Sequence, residues 1–220
     1  RHLEARFSQK LLVVLNRAGL ADPQKTKQWV ASLTRKGYTA LAVDAKEGTG
    51  MGNLRQALEA RATPKRPLRI AVAGLPNTGK STILNNLLGR RAAKVGNKPG
   101  ITRGPQWVRI GRLEVLDTPG VLTGNSDLKS PTLAALGLIS ADPELTAPWL
   151  LEWLFAHDPA VVQKRYDLSG LPETGQELAA IAIRQGWLRQ GAQPDLLRAA
   201  QGVLVDFQSG RLGRWTLEEA

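Results

Sequence analysis

Residues Gly74–Ser81, GLPNTGKS, fit the pattern G-x-x-x-x-G-K-[S/T] in full, and they lie between the apolar run Leu68–Ala73 and a helical pattern that opens at Lys80. This segment constrains the fold more than any other. Such a loop works only when a strand delivers it and a helix N-terminus receives it. The glycines then let successive amide N–H groups point at one anion, and the helix dipole adds to the attraction. Amides from Asn77, Thr78, Gly79, Lys80 and Ser81 are predicted to surround a phosphate, with Thr82 next on the same turn. The Lys80 ammonium is predicted to reach the outer phosphate oxygens, and the Ser81 hydroxyl to hold Mg2+.

Two more segments fit a nucleoside triphosphate. Asp117–Gly120, DTPG, ends the apolar stretch LEVLD 36 residues after Ser81. On its own it is a good turn sequence. Beside a phosphate loop, Asp117 becomes a Mg2+ holder through water, and the Gly120 amide a contact to the γ-phosphate. Thr102, in the basic loop KPGITRG, stands between the two motifs, where a hydroxyl closes over metal and γ-phosphate only when triphosphate is present. Lys80, Thr102 and Gly120 are the expected catalytic contacts.

Base-reading segments come earlier in the chain. LNRAGL (Leu15–Leu20) supplies Asn16 and Arg17 in the manner of an Asn-Lys-x-Asp turn, and VDAKEG (Val43–Gly48) supplies Ala45 and Lys46 in the manner of a Ser-Ala-Lys turn. Both normally follow the phosphate loop. Here both precede it, so the chain reads as circularly permuted, which a domain with neighbouring termini tolerates.

The surrounding pattern is α/β. KLLVVLN and YTALAVD read as buried strands, Asp22-Pro23 as a helix cap, Gly37 as a helix end, Met51–Arg61 as a helix, and QWVRI and LEVLD as a hairpin across Gly111-Arg112. The expected architecture is a doubly wound, mostly parallel sheet over residues 1–124, followed by an all-α domain over 125–220. Charge divides at the same place. Residues 1–124 hold 22 Lys and Arg against 7 Asp and Glu, and residues 125–220 hold 8 against 12, within a total of +11. A basic half attracts polyanions, RNA among them. The absence of cysteine excludes disulfides and thiolate metal sites, and His2 and His157 are too few for a histidine-rich centre. No apolar run nears the roughly 20 residues that span a bilayer, so no membrane partner and a cytoplasmic location are expected.

The segments GLPNTGKST, KVGNKPGIT, QWVRIG, LEVLDTPGVL and GRLGRWTLE, in this order behind the base-reading turns, resemble the YlqF/RbgA family of circularly permuted ribosome-assembly GTPases. The resemblance spans nearly the whole chain. It implies a GTP/GDP switch that acts on the large ribosomal subunit, a helical domain that binds its rRNA, turnover stimulated by the subunit, and a K+ ion held near the phosphates by Asn77. It also implies a strand ahead of Arg1, so the sheet is expected to lack a member.

Three departures stand out. Gly19 occupies the position of the guanine-reading aspartate, and Arg17 that of the lysine; losing the charged acceptor costs about 1.5–3 kcal/mol. Guanine preference then rests on Asn16 and the Ala45 amide, with Asp22 either a substitute or a helix cap, and Gly19→Asp is expected to tighten GTP. The helical half is acidic where an RNA binder is expected to be basic, leaving Arg184, Arg189, Arg198, Arg211 and Arg214 as local clusters and Trp187 and Trp215 as core or stacking residues. Val121 and Leu122 follow Gly120, so neither positions an attacking water, and slow basal turnover is expected. The other readings are an rRNA-binding module with a degenerate nucleotide site and an ATP-using enzyme.

Overall fold

Leu12, Val13, Val14 and Leu15 form the first strand, β1 (Leu12–Leu15), which pairs in parallel with β2 (Thr39–Ala42), Leu12 opposite Thr39 and Leu15 opposite Ala42. A computed structural model describes residues 10–63, 66–89, 106–117, 130–170 and 172–220 of the chain. A parallel pair needs a crossover, and α1 (Pro23–Arg35) supplies it. The start of α1 is local chemistry: Asp22 Oδ1 accepts the Gln24 and Lys25 amides at 2.7 and 2.8 Å, and Pro23 opens the first turn. Its end is equally local. Gly37 adopts φ 88°, the Tyr38 amide donates to the Leu33 carbonyl and the Gly37 amide to Thr34, the paired bonds of a Schellman stop. Asp22 is thus a cap.

A second helix, α2 (Met51–Glu59), leads to β3 (Leu68–Ile70) and, through the phosphate loop, to α3 (Lys80–Leu88). Strands β4 (Gln106–Ile110) and β5 (Leu113–Asp117) form the hairpin across Gly111-Arg112, with β5 parallel to β3. The expected single sheet is found, among the described residues, as two ladders, β1-β2 and β3-β5-β4. One core serves both. Val43, Ala45, Met51, Leu54, Leu58, Ile83, Leu87 and Leu113 are buried together, with Leu12, Val14, Leu41, Leu68 and Ile70 packed against them. β2 and β3 are shorter than the apolar runs that predict them, because a strand extends only as far as its partner offers carbonyls and amides.

Contacts group the chain into two compact units, Arg1–Gly124 with Thr216–Ala220, and Asn125–Trp215. The last five residues return to the first unit, where Lys25 pairs with Glu219 at 2.5 Å and the Thr216 hydroxyl accepts the Asp22 amide at 3.3 Å.

The second unit is helical: α4 (Pro131–Ala135), α5 (Pro143–His157), α6 (Pro159–Tyr166), α7 (Glu177–Arg184) and α8 (Leu196–Gln208). Ser130, Asp142 and Asp158 each cap the helix that a following proline opens. Leu150, Leu151 and Leu154 of α5 are fully buried, as are Ala199, Ala200 and Val203 of α8. Small residues let those two helices approach. Within this core Asp206 is 3 % exposed and carries three partners: the Tyr166 hydroxyl at 3.1 Å, Arg165 at 2.7 Å and Arg211 at 2.8 Å. Burial, and then the adjacent Asp206 charge, push the Tyr166 phenol far above its ordinary range, so it remains a donor to the carboxylate.

Asp206→Ala leaves the buried Tyr166 phenol without its acceptor and two partly exposed guanidinium groups without their carboxylate; a loss of about 1–3 kcal/mol is expected, read from the urea unfolding transition. Arg184→Ala breaks the exposed ion pair with Asp167 and the bond from Arg184 Nε to the Asp167 carbonyl, and is expected to move that transition by less than about 1 kcal/mol.

Candidate nucleotide site

The phosphate loop runs from the end of β3 into α3. Asn77 at φ 58° and Gly79 at φ 87° hold left-handed conformations on either side of Thr78, and such alternation turns consecutive amides toward one concave face. The loop is braced from within. The Thr78 hydroxyl donates to the Leu75 carbonyl at 2.8 Å, and the Lys80 ammonium donates to the same carbonyl at 2.7 Å. Ser81 and Thr82 are exposed on the first turn of α3.

Asn16, one residue past β1, is 62 residues from the loop in sequence and bonded to it in space. Its Nδ2 donates to the Thr78 carbonyl at 2.9 Å, while its Oδ1 accepts the Ala45 amide at 3.1 Å. One side chain therefore links the loop after β1, the loop after β2 and the phosphate loop. Ala45 is held on its other side as well, where Asn86 of α3 donates to its carbonyl at 3.1 Å. Arg17 reaches the Asn77 carbonyl at 2.8 Å. A side chain at Gly79 would collide with Asn16 Nδ2, so this glycine is required by close approach as well as by its φ.

The structure brings Asn16, Arg17, Ala45, Asn77, Thr78, Gly79 and Lys80 together. The Ala45 amide, expected to face the base, is committed to Asn16. Lys46 is exposed, and its amide donates to Asp44 Oδ1 at 3.1 Å, as does that of Glu47. Asp117 closes β5; since Ile70 pairs with Val115 in the parallel ladder, Asp117 lies level with Val72, beside the start of the loop. Thr102 and Gly120, with Val121 and Leu122, lie outside the described residues.

Asp44 is the participant that sequence reasoning passed over. Its Oδ2 accepts the Gly19 amide at 3.1 Å, so the carboxylate spans both base-side loops. A signal existed: a carboxylate is missing after β1 and a new one stands where the turn after β2 ordinarily begins with serine. Gly19→Asp would require the Asp44 carboxylate to move, because a Cβ at Gly19 would lie 2.5 Å from Asp44 Oδ2.

In the helical unit the expected arginine clusters are largely engaged. Arg184 pairs with Asp167 at 2.5 Å, Arg189 with Asp195 at 3.1 Å and Arg211 with Asp206, while Arg198 lies over the Trp187 ring at 5.9 Å. Trp215 meets Trp153 edge-on at 5.4 Å, and the Trp153 ring stacks on His157 at 3.8 Å. Among the described residues no helix is long and apolar enough to cross a membrane.

Residues 69–143 match the family described as 50S ribosome-binding GTPase. Ribosome biogenesis GTPase A of Bacillus cereus is 35% identical over 225 residues, covering 94% of this chain and 76% of that protein. The protein of that name from Thermotoga maritima is 32% identical over 96% of this chain and 78% of its own length. Among solved structures, GNP-bound YlqF from T. maritima superposes with a TM-score of 0.65 at 26% identity, covering 97% of this chain and 83% of that one. Likeness of sequence over almost the entire length and likeness of fold point the same way: the chain belongs to the ribosome biogenesis GTPase A (YlqF/RbgA) family of circularly permuted P-loop GTPases.

Proposed function

We propose that this protein is a GTP-binding and GTP-hydrolysing switch in assembly of the large ribosomal subunit, acting in the cytoplasm. The observation that supports it most is the Asn16 bridge, in which base-side loops that precede the phosphate loop in sequence are bonded to it at Thr78 and Ala45. That linkage joins recognition of a base to the grip on its phosphates.

In this reading the amides of residues 77–81 hold the β-phosphate and Lys80 leaves the Leu75 carbonyl for the β- and γ-oxygens. The exposed Ser81 hydroxyl, on the first turn of α3, and Asp117, the last residue of β5, are hard oxygen donors of the kind magnesium takes, so the residues present fit the ion. Ser81, Thr102 and Asp117 would hold it, and it would supply positive charge to offset that of the phosphates. Thr102 and Gly120 respond to the γ-phosphate and order their loops. A K+ role for Asn77 rests on the family resemblance. For rRNA, the basic first unit is the stronger candidate surface, since carboxylates already engage four of the helical unit's described arginines.

Phosphate release, measured in potassium buffer with and without large ribosomal subunits, tests the switch. Slow release alone and faster release with subunits is expected; background release in both conditions supports the module without hydrolysis. Labelled GTP is expected to resist displacement by ATP, and equal displacement supports an ATP-using enzyme. Lys80→Ala removes the cationic contact and is expected to abolish triphosphate binding, read by titration with a fluorescent analogue. Asn16→Ala uncouples three loops and is expected to weaken GTP by about tenfold or more in the same titration.

A further inference from the structure

A carboxylate is present at the position where Gly19 withholds one. A Cβ built on Gly19 would lie 2.5 Å from Asp44 Oδ2 and 3.5 Å from its Cγ, so the Asp44 carboxylate occupies the volume in which a side chain at residue 19 would begin. We propose that Asp44 is the specificity-determining acceptor for guanine in this chain, delivered from β2 in place of the aspartate missing after β1. This assignment rests on the guanine-nucleotide reading above.

The sheet makes the substitution feasible. β1 and β2 run parallel and in register, with Leu15 opposite Ala42, so their following loops leave the same edge side by side. The ladder continues into them: the Val43 amide donates to the Leu15 carbonyl at 2.8 Å, and the Ala18 amide to the Val43 carbonyl at 3.0 Å. Asp44 is therefore one residue beyond a fixed crossing of the two loops. Its own orientation is fixed by three amides, Gly19 on Oδ2 and Lys46 and Glu47 on Oδ1, each at 3.1 Å. A carboxylate offers about four acceptor positions. Those amides use three, which leaves one on Oδ2, and Asp44 is 7 % exposed beside the exposed Gly19.

Chemistry then selects the base. Guanine presents an N1–H and a 2-amino group on one edge, both donors, and the one acceptor position left on Asp44 takes one of them. Adenine presents an acceptor nitrogen there and no amino group, so two acceptors would face each other across a desolvated contact. The absence of a side chain at residue 19 is part of the device, since any Cβ would displace the carboxylate.

Competition titrations on the 220-residue chain with GTP, xanthosine triphosphate and ATP test the assignment. Asp44→Asn keeps the shape and one acceptor oxygen but turns an amide toward the base. GTP affinity is expected to fall by about tenfold or more, while xanthosine triphosphate, with a carbonyl in place of the 2-amino group, gains relative to GTP. Gly19→Asp alone is expected to weaken GTP. Asp44→Ser lowers GTP preference, and Gly19→Asp added to Asp44→Ser restores it. Equal weakening of all three nucleotides by Asp44→Asn, or a raised GTP-to-ATP ratio in Gly19→Asp alone, overturns the assignment and leaves the GTPase reading intact. Failure of the unsubstituted chain to bind GTP overturns both.

Discussion

The Asn16 side chain is the interaction on which the first unit depends. A primary amide carries its donor and its acceptor on separate atoms, and here each is used: Nδ2 on the Thr78 carbonyl, Oδ1 on the Ala45 amide. Aspartate could not donate and leucine could do neither, so either would leave a loop amide or carbonyl without its partner. The bridge also explains a glycine. Gly79 is needed because Asn16 Nδ2 occupies the place of its side chain. Phosphate cradle and base-side loops are thereby one construction, although the chain visits them in reversed order.

Electrostatics divide the protein by burial as much as by charge count. Asp206 sits in the helical core among Tyr166, Arg165 and Arg211, where low polarizability makes pairing matter. Arg184 and Arg189 make bonds of similar length at the surface, where water screens them. These arginines attract phosphate less than a residue count suggests, since aspartates already face them. The excess positive charge lies instead in residues 1–124.

Much of the architecture was legible because its signals are short. Asp22-Pro23 and Gly37 bound α1, and the same Asp-Pro or Ser-Pro pattern opens three helices of the second unit. Lys80–Leu88 and the Gly111-Arg112 hairpin occur where the sequence places them. Strand lengths and the division of the strands into two ladders were not legible, since both follow from which carbonyls a neighbour presents. For the site, Asn16, Thr78 and Lys80 were found from motif spacing, but the bonding that commits the Ala45 amide was not.

By itself, the sequence determined the phosphate loop, its supporting helix, the permuted order and the caps, each of which depends on groups within a few residues of one another. Tertiary structure alone decided that the Asp44 carboxylate takes the place of a Cβ at Gly19, 25 residues away, and that Asn16 spans 62 residues to Thr78. Such pairings depend on the register of two parallel strands and on where their loops emerge. A one-residue shift of that register would leave every local motif unchanged and separate the carboxylate from the glycine.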